Sequence, residues 1–187
     1  MDGVNDLERW AADARAREAA DARVRERWLR AQAAEGASMA GVLIDLAERR
    51  ETVVVATVAG RRHRGVVTGV GEDFVALESP SGTITLVALS GLGDVRVAER
   101  AAGPGSRVAA STGDRPGPGS LGARLSDVLA QAAAGRPRIL VQTGAASVVG
   151  DLRAVGLDVL TVQTDGDSGP VYVWLPSLSE ISFLASG

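Results

Sequence analysis

The chain is written twice. Gly65-Val-Val-Thr-Gly-Val70-Gly71-Glu-Asp73-Phe-Val-Ala-Leu77 matches Gly150-Asp-Leu-Arg-Ala-Val155-Gly156-Leu-Asp158-Val-Leu-Thr-Val162 at a constant offset of 85. One residue inserted in the following turn moves the offset to 86, so that Leu89, Leu92, Asp94 and Val95 fall on Leu175, Leu178, Glu180 and Ile181. Self-similarity at a fixed spacing means that one structural unit occurs twice. Glycines at matched positions inside apolar runs mark a bend or a close approach of two backbones. Asp73 and Asp158 each follow a glycine in a turn, where a carboxylate can bond the backbone.

Each unit has the same order of elements. In the first, Ser38 is placed to cap a short amphipathic helix carrying Met39, Val42, Leu43, Leu46 and Ala47. The period then becomes strand-like: 52–59, 65–70, 74–78, 83–89 and 95–98 are β-branched or apolar runs separated by Gly, Ser, Pro and Asp turns. In the second, Ser120 opens a helix with Leu121, Leu125, Val128 and Leu129, and strands are expected over 139–143, 148–155, 159–164, 171–175 and 181–184. Residues 101–119 between them are rich in Gly and Pro and lack periodicity, as a linker does. Ahead of both units, residues 6–35 are Ala, Arg and Glu without Pro or Gly, which predicts one long charged helix with Trp10 and Trp28 five turns apart on one face. The expected domains are a charged helix over 1–37, a first unit over 38–100, a linker over 101–119 and a second unit over 120–187.

Composition narrows the function classes. A net charge of -3 and a pI near 5.2 argue against a surface built to coat nucleic acid, leaving room only for a local basic patch. The chain has no lysine, and its twenty basic residues besides His63 are all arginine, as in the proteins of GC-rich bacterial genomes. It has no cysteine, which removes disulfides, thiolate metal sites and cysteine nucleophiles. The acidic start lacks an apolar signal region and no apolar run approaches bilayer length, so a cytoplasmic protein without a membrane partner is expected.

The helix, the five strands with the second bent at glycine, the acidic turn before the third and the ending Leu-x-x-Leu-x-x-Val or Ile together resemble the Sm-like superfamily, and within it the bacterial Hfq type. Gly65 to Leu77 is close to that family's first motif, and the resemblance covers about residues 38–98 and 120–184. It implies a mainly β protein with helices (α+β), built as two tandem Sm-like or SH3-like five-stranded barrels, each preceded by a short helix and both behind the long N-terminal helix. It also implies ring formation, hence a homo-oligomer, and RNA binding. The chain departs from the family where the Hfq type has Lys-His and the eukaryotic and archaeal type has Arg-Gly. It has Val87-Ala88-Leu89-Ser90-Gly91 and Val173-Trp174-Leu175-Pro176-Ser177 there, without the residues that hold RNA at the ring centre.

Candidate functional residues follow from charge and exposure. Arg61-Arg62-His63-Arg64 reads as a hairpin tip where guanidiniums could grip phosphates and an imidazole could stack on a base. Its counterpart is taken as Gly144-Ala145-Ala146-Ser147, so the fold does not require the charge, although a solvated turn explains it equally well. Tyr172 and Trp174 alternate with Val171, Val173 and Leu175, which turns the aromatics to one face of a strand. With Trp10 and Trp28 they form the candidate interface set. A single histidine allows no two-histidine metal site, Asp165-Gly-Asp-Ser-Gly lacks the terminal glutamate of an EF-hand loop, and no nucleotide-binding glycine motif stands in its required context. No cofactor and no enzymatic activity are expected. Two functions remain: RNA association in gene regulation, implied by the resemblance, and a protein-interaction or assembly scaffold, favoured by the acidic pI and the missing family residues. A protein partner would engage the N-terminal helix.

Overall fold

The structure, a computed structural model, describes residues 36–98, 122–144, 146–166 and 169–184, together with Glu18, Arg23, Arg25 and Glu26, which are helical. The chain divides into two compact units, Met1–Val42 and Leu43–Gly187. Trp10 and Trp28, with nearly all of the stretch expected to be a long helix, and the stretch expected to be a linker lie outside the described residues.

Helix α1 spans Met39–Glu48, with the Ser38 hydroxyl accepting the Gly41 amide at 3.1 Å as the capping pattern predicts. Strands β1 (Thr52–Thr57), β2 (Arg62–Val70), β3 (Phe74–Glu78), β4 (Ile84–Ala88) and β5 (Leu92–Val97) follow. Then come helix α2 (Leu125–Ala133) and strands β6 (Arg138–Thr143), β7 (Ala146–Val155), β8 (Val159–Gln163), β9 (Pro170–Trp174) and β10 (Glu180–Phe183). The repeat extends to irregularities. The β2–β3 register shifts between Val67 and Gly69, and the β7–β8 register shifts between Leu152 and Ala154, 85 residues on. The matched glycines meet backbone at close range: a Cβ on Gly65 would lie 2.3 Å from the Glu78 carbonyl oxygen, and one on Gly150 2.2 Å from that of Gln163.

The expectation of two five-stranded barrels behind a long helix is corrected. From Met39 to Phe183 the described residues form two α-helices and one open, antiparallel ten-stranded sheet in the order β5-β1-β2-β3-β4-β10-β6-β7-β8-β9. Neither half closes on itself. The outer edge of β4 is taken by β10, with Glu180 opposite Val87, Ile181 opposite Leu86 and Ser182 opposite Thr85. An unpaired strand edge carries a row of unsatisfied N–H and C=O groups, and here one edge of each half satisfies that of the other.

Packing follows the sheet and not the repeat boundary. One buried cluster joins Phe74, Leu86 and Ala88 of the first half to Leu125, Leu129, Ile139, Val141, Leu152, Leu160, Val162, Val173, Leu178 and Ile181 of the second. The seam adds polar bonds: the buried hydroxyls of Thr85 and Ser182 lie 2.9 Å apart, and the Ala88 amide donates to the Ser179 carbonyl at 3.0 Å. Helix α2 lies on β7 of its own half and also reaches the other. Its first amide, at Leu125, donates to the Asp73 carboxylate at 2.7 Å, and the Glu72 amide donates to the Ala123 carbonyl at 2.9 Å.

Candidate functional site

Arg62, His63 and Arg64 belong to β2 and not to a hairpin tip, which corrects the expectation for this tetrad. The turn is made one residue earlier, by Gly60 at φ +81°, so the chain is already extended when it reaches the basic residues. Extended backbone sends successive side chains to opposite faces. His63 lies opposite buried Val55 and faces inward, whereas Arg62 and Arg64, opposite Ala56 and Val54, are exposed on the other face.

What the inward pair meets is Glu180, the first residue of β10, with a side chain only 1 % exposed. His63 Nε2 is 2.6 Å from one carboxylate oxygen, Oε2. Arg61 Nε lies 2.7 Å from the other, Oε1, close enough for a charge contact though not aligned as a hydrogen bond. The His63 side chain is 16 % exposed and that of Arg61 41 %, so a guanidinium at the rim and an imidazole beneath it cover a carboxylate inside the sheet. Burying a charge without a partner is costly, and these two groups supply the partner. The cluster therefore joins a strand of the first half to a strand of the second across 117 residues of sequence.

Sequence reasoning placed Glu180 only as the repeat counterpart of Asp94. Its neighbours Ser179 and Ile181 do not set it apart, since Asp94 stands likewise between Gly93 and Val95; what buries Glu180 is the place of β10 between β4 and β6. Strand register also refines the repeat. Val55 faces His63 as Val141 faces Val148, and Thr143 faces Ala146, so Ala146 and Val148 occupy the places of Arg61 and His63 in the second half. Asp94 itself is half-exposed on the outer strand β5 and pairs with Arg96 at 3.0 Å.

The aromatics are placed as their alternation suggests. Val173 is buried, whereas Tyr172 is 69 % and Trp174 59 % exposed, on the sheet's last strand. They stand at the opposite side of the second half from Glu180 and share no site with the basic tetrad. Among the described residues no group of three or more His, Cys, Asp or Glu side chains could hold a metal ion, and no helix is long and apolar enough to cross a membrane. Compared with known proteins, the chain matches no family model, no curated protein and no solved structure.

Proposed function

We propose that this protein is a non-catalytic assembly module whose copies join head to tail, the outer strand β9 of one copy pairing with the outer strand β5 of the next. One observation carries this reading: the two ends of the sheet are repeat counterparts of the two strands already joined inside the chain. β9 corresponds to β4, and β5 corresponds to β10. Transferring the internal register by 86 residues sets Val95 of one copy opposite Tyr172 of another, with Asp94 opposite Val173 and Arg96 opposite Val171. The difference in burial agrees. Leu86 and Ala88 are 3 % and 6 % exposed at the internal seam, while their counterparts Tyr172 and Trp174 are the large exposed side chains already described. An open edge flanked by exposed aromatics favours pairing with another strand, and a head-to-tail joint of this kind yields a ring or a filament according to its rotation.

Light scattering over a wide concentration range is the test. Wild-type protein should form a species larger than the monomer. Tyr172→Glu with Trp174→Glu should return the monomer with little change in thermal stability, because both side chains already face solvent. A strict monomer at high concentration would reject the proposal.

The RNA reading retains a narrower basis, the exposed pair Arg62 and Arg64, since Arg61 and His63 are engaged by Glu180. Titration of a single-stranded RNA at several salt concentrations decides it. Under the assembly reading, Arg62→Ala with Arg64→Ala leaves whatever weak binding exists unchanged. RNA contact through both arginines would instead lower the slope of log affinity against log salt by roughly 1.4, about 0.7 for each phosphate released.

A further inference from the structure

Edge pairing leaves the helices unassigned, and here the internal seam is again informative. We infer that the turn Gly156–Leu157–Asp158 of one copy is the seat for the N-terminal end of α1 from a second copy, with the Asp158 carboxylate accepting the Met39 amide. The inference rests on the self-association proposed above and adds a second contact to it.

Inside the chain the corresponding seat is filled. The turn Gly71–Glu72–Asp73 receives the start of α2. Asp73 Oδ1 takes the Leu125 amide at 2.7 Å, the Glu72 amide donates to the Ala123 carbonyl at 2.9 Å, and Arg124 Nε lies 2.8 Å from Glu72 Oε2. Gly71 makes room for this approach: a Cβ there would stand 2.6 Å from the Ala123 carbonyl oxygen. The seated Leu125 is 5 % exposed.

Shifting the turn by 85 and the helix by 86 gives Gly156, Leu157 and Asp158 on one side and Ala37, Ser38 and Met39 on the other. Each feature of the filled seat has its equivalent. Gly156 repeats the missing Cβ, and the contacts one would meet there are with Val159 alone, leaving the side that Ala123 fills at Gly71 clear. Asp158 repeats the carboxylate. On α1, the Ser38 hydroxyl takes the third amide of the helix, at Gly41, so a carboxylate arriving at the first, at Met39, would not compete with it. The Arg124–Glu72 ion pair becomes Ser38 and Leu157, an uncharged pair, and Leu157 is 99 % exposed on a turn whose counterpart carries a charge. Met39 and Val42, counterparts of buried Leu125 and half-buried Val128, are 44 % and 43 % exposed. Exposed apolar side chains on both surfaces, at the places where the internal seam is closed, identify a second copy of this chain as the occupant.

The chain has no native cysteine, so single cysteines report the contact directly. Met39→Cys and Leu157→Cys proteins are mixed and treated with a short bismaleimide; a covalent dimer should form in the mixture and not in either protein alone. A parallel mixture of Arg96→Cys and Val171→Cys proteins, opposite each other in the transferred register, reports the edge pairing. Cross-linking of the edge pair without the helix pair would overturn this inference and leave the assembly standing. Failure of both pairs, with a monomer by light scattering, would overturn both. Asp158→Ala should weaken self-association roughly 3- to 30-fold, the range of a lost helix cap. Wild-type affinity in that variant would also overturn the inference.

Discussion

Replacing Arg61 and His63 together by alanine should destabilise the protein by about 3–5 kcal/mol, the usual cost of stripping a buried carboxylate of its partners. For a chain of this size that is a fall in melting temperature on the order of 10 °C. The loss originates at Glu180, whose side chain is 1 % exposed and would be left charged inside the sheet without a cation beside it. His63 should carry the larger share, because it is the less exposed partner and sits at hydrogen-bond distance. A third substitution, Glu180→Leu, made in the doubly altered chain should return most of the stability, since an apolar side chain of similar size removes the stranded charge. Thermal melts of the wild type, the double and the triple variant measure this. A double variant that melts like one with an ordinary surface substitution, within about 0.5 kcal/mol, would mean that Glu180 does not depend on these groups.

The same cluster explains an asymmetry in the sequence. The basic residues at 61–64 have no basic counterpart in the second half, a difference that reads as functional when the halves are compared as independent units. In the sheet, the first half has a neighbour on its β4 side and the second half has none on its β9 side. Arg61 and His63 stand where a carboxylate arrives from the adjoining strand, whereas Ala146 and Val148 stand where the chain itself supplies no strand. Their charge is thus accounted for by the seam, and only Arg62 and Arg64 remain for a ligand.

Local rules made the elements readable. Alternation located all ten strands, the Ser38 cap located α1, and the glycines at 65 and 150 proved to be places of close backbone approach. The connection between elements was not readable, because a five-stranded unit can satisfy its edges by closing or by pairing with a neighbour, and both choices use the same alternating side chains. The deciding groups, Glu180 with His63 and Thr85 with Ser182, are 117 and 97 residues apart in the chain. Placing the basic tetrad at a hairpin tip failed for a smaller reason: Gly60 completes the turn before Arg61, and strand β2 starts earlier than its apolar alternation does.

The shared core leads to the last expected result, that neither half folds stably when produced alone. Repeats joined by a Gly- and Pro-rich stretch suggest independent modules, but the buried cluster draws Phe74, Leu86 and Ala88 from one half into the core of the other. A fragment of residues 120–187 would lose those contacts, expose Ile181 and the edge of β10, and leave Glu180 without Arg61 and His63. A fragment of residues 38–100 would expose the edge of β4, including Leu86 and Val87, and would leave Asp73 without the helix amide it accepts. Each loss is of the kind that costs several kcal/mol in a core or a buried ion pair, and together they equal or exceed the total of about 5–15 kcal/mol that ordinary domains possess. Circular dichroism and thermal melts of each fragment should show no cooperative transition, while the two fragments co-expressed should associate and recover one through the β4–β10 seam. Two fragments that each melt cooperatively near the temperature of the intact chain would show instead that the halves are separable modules and that their shared core contributes little.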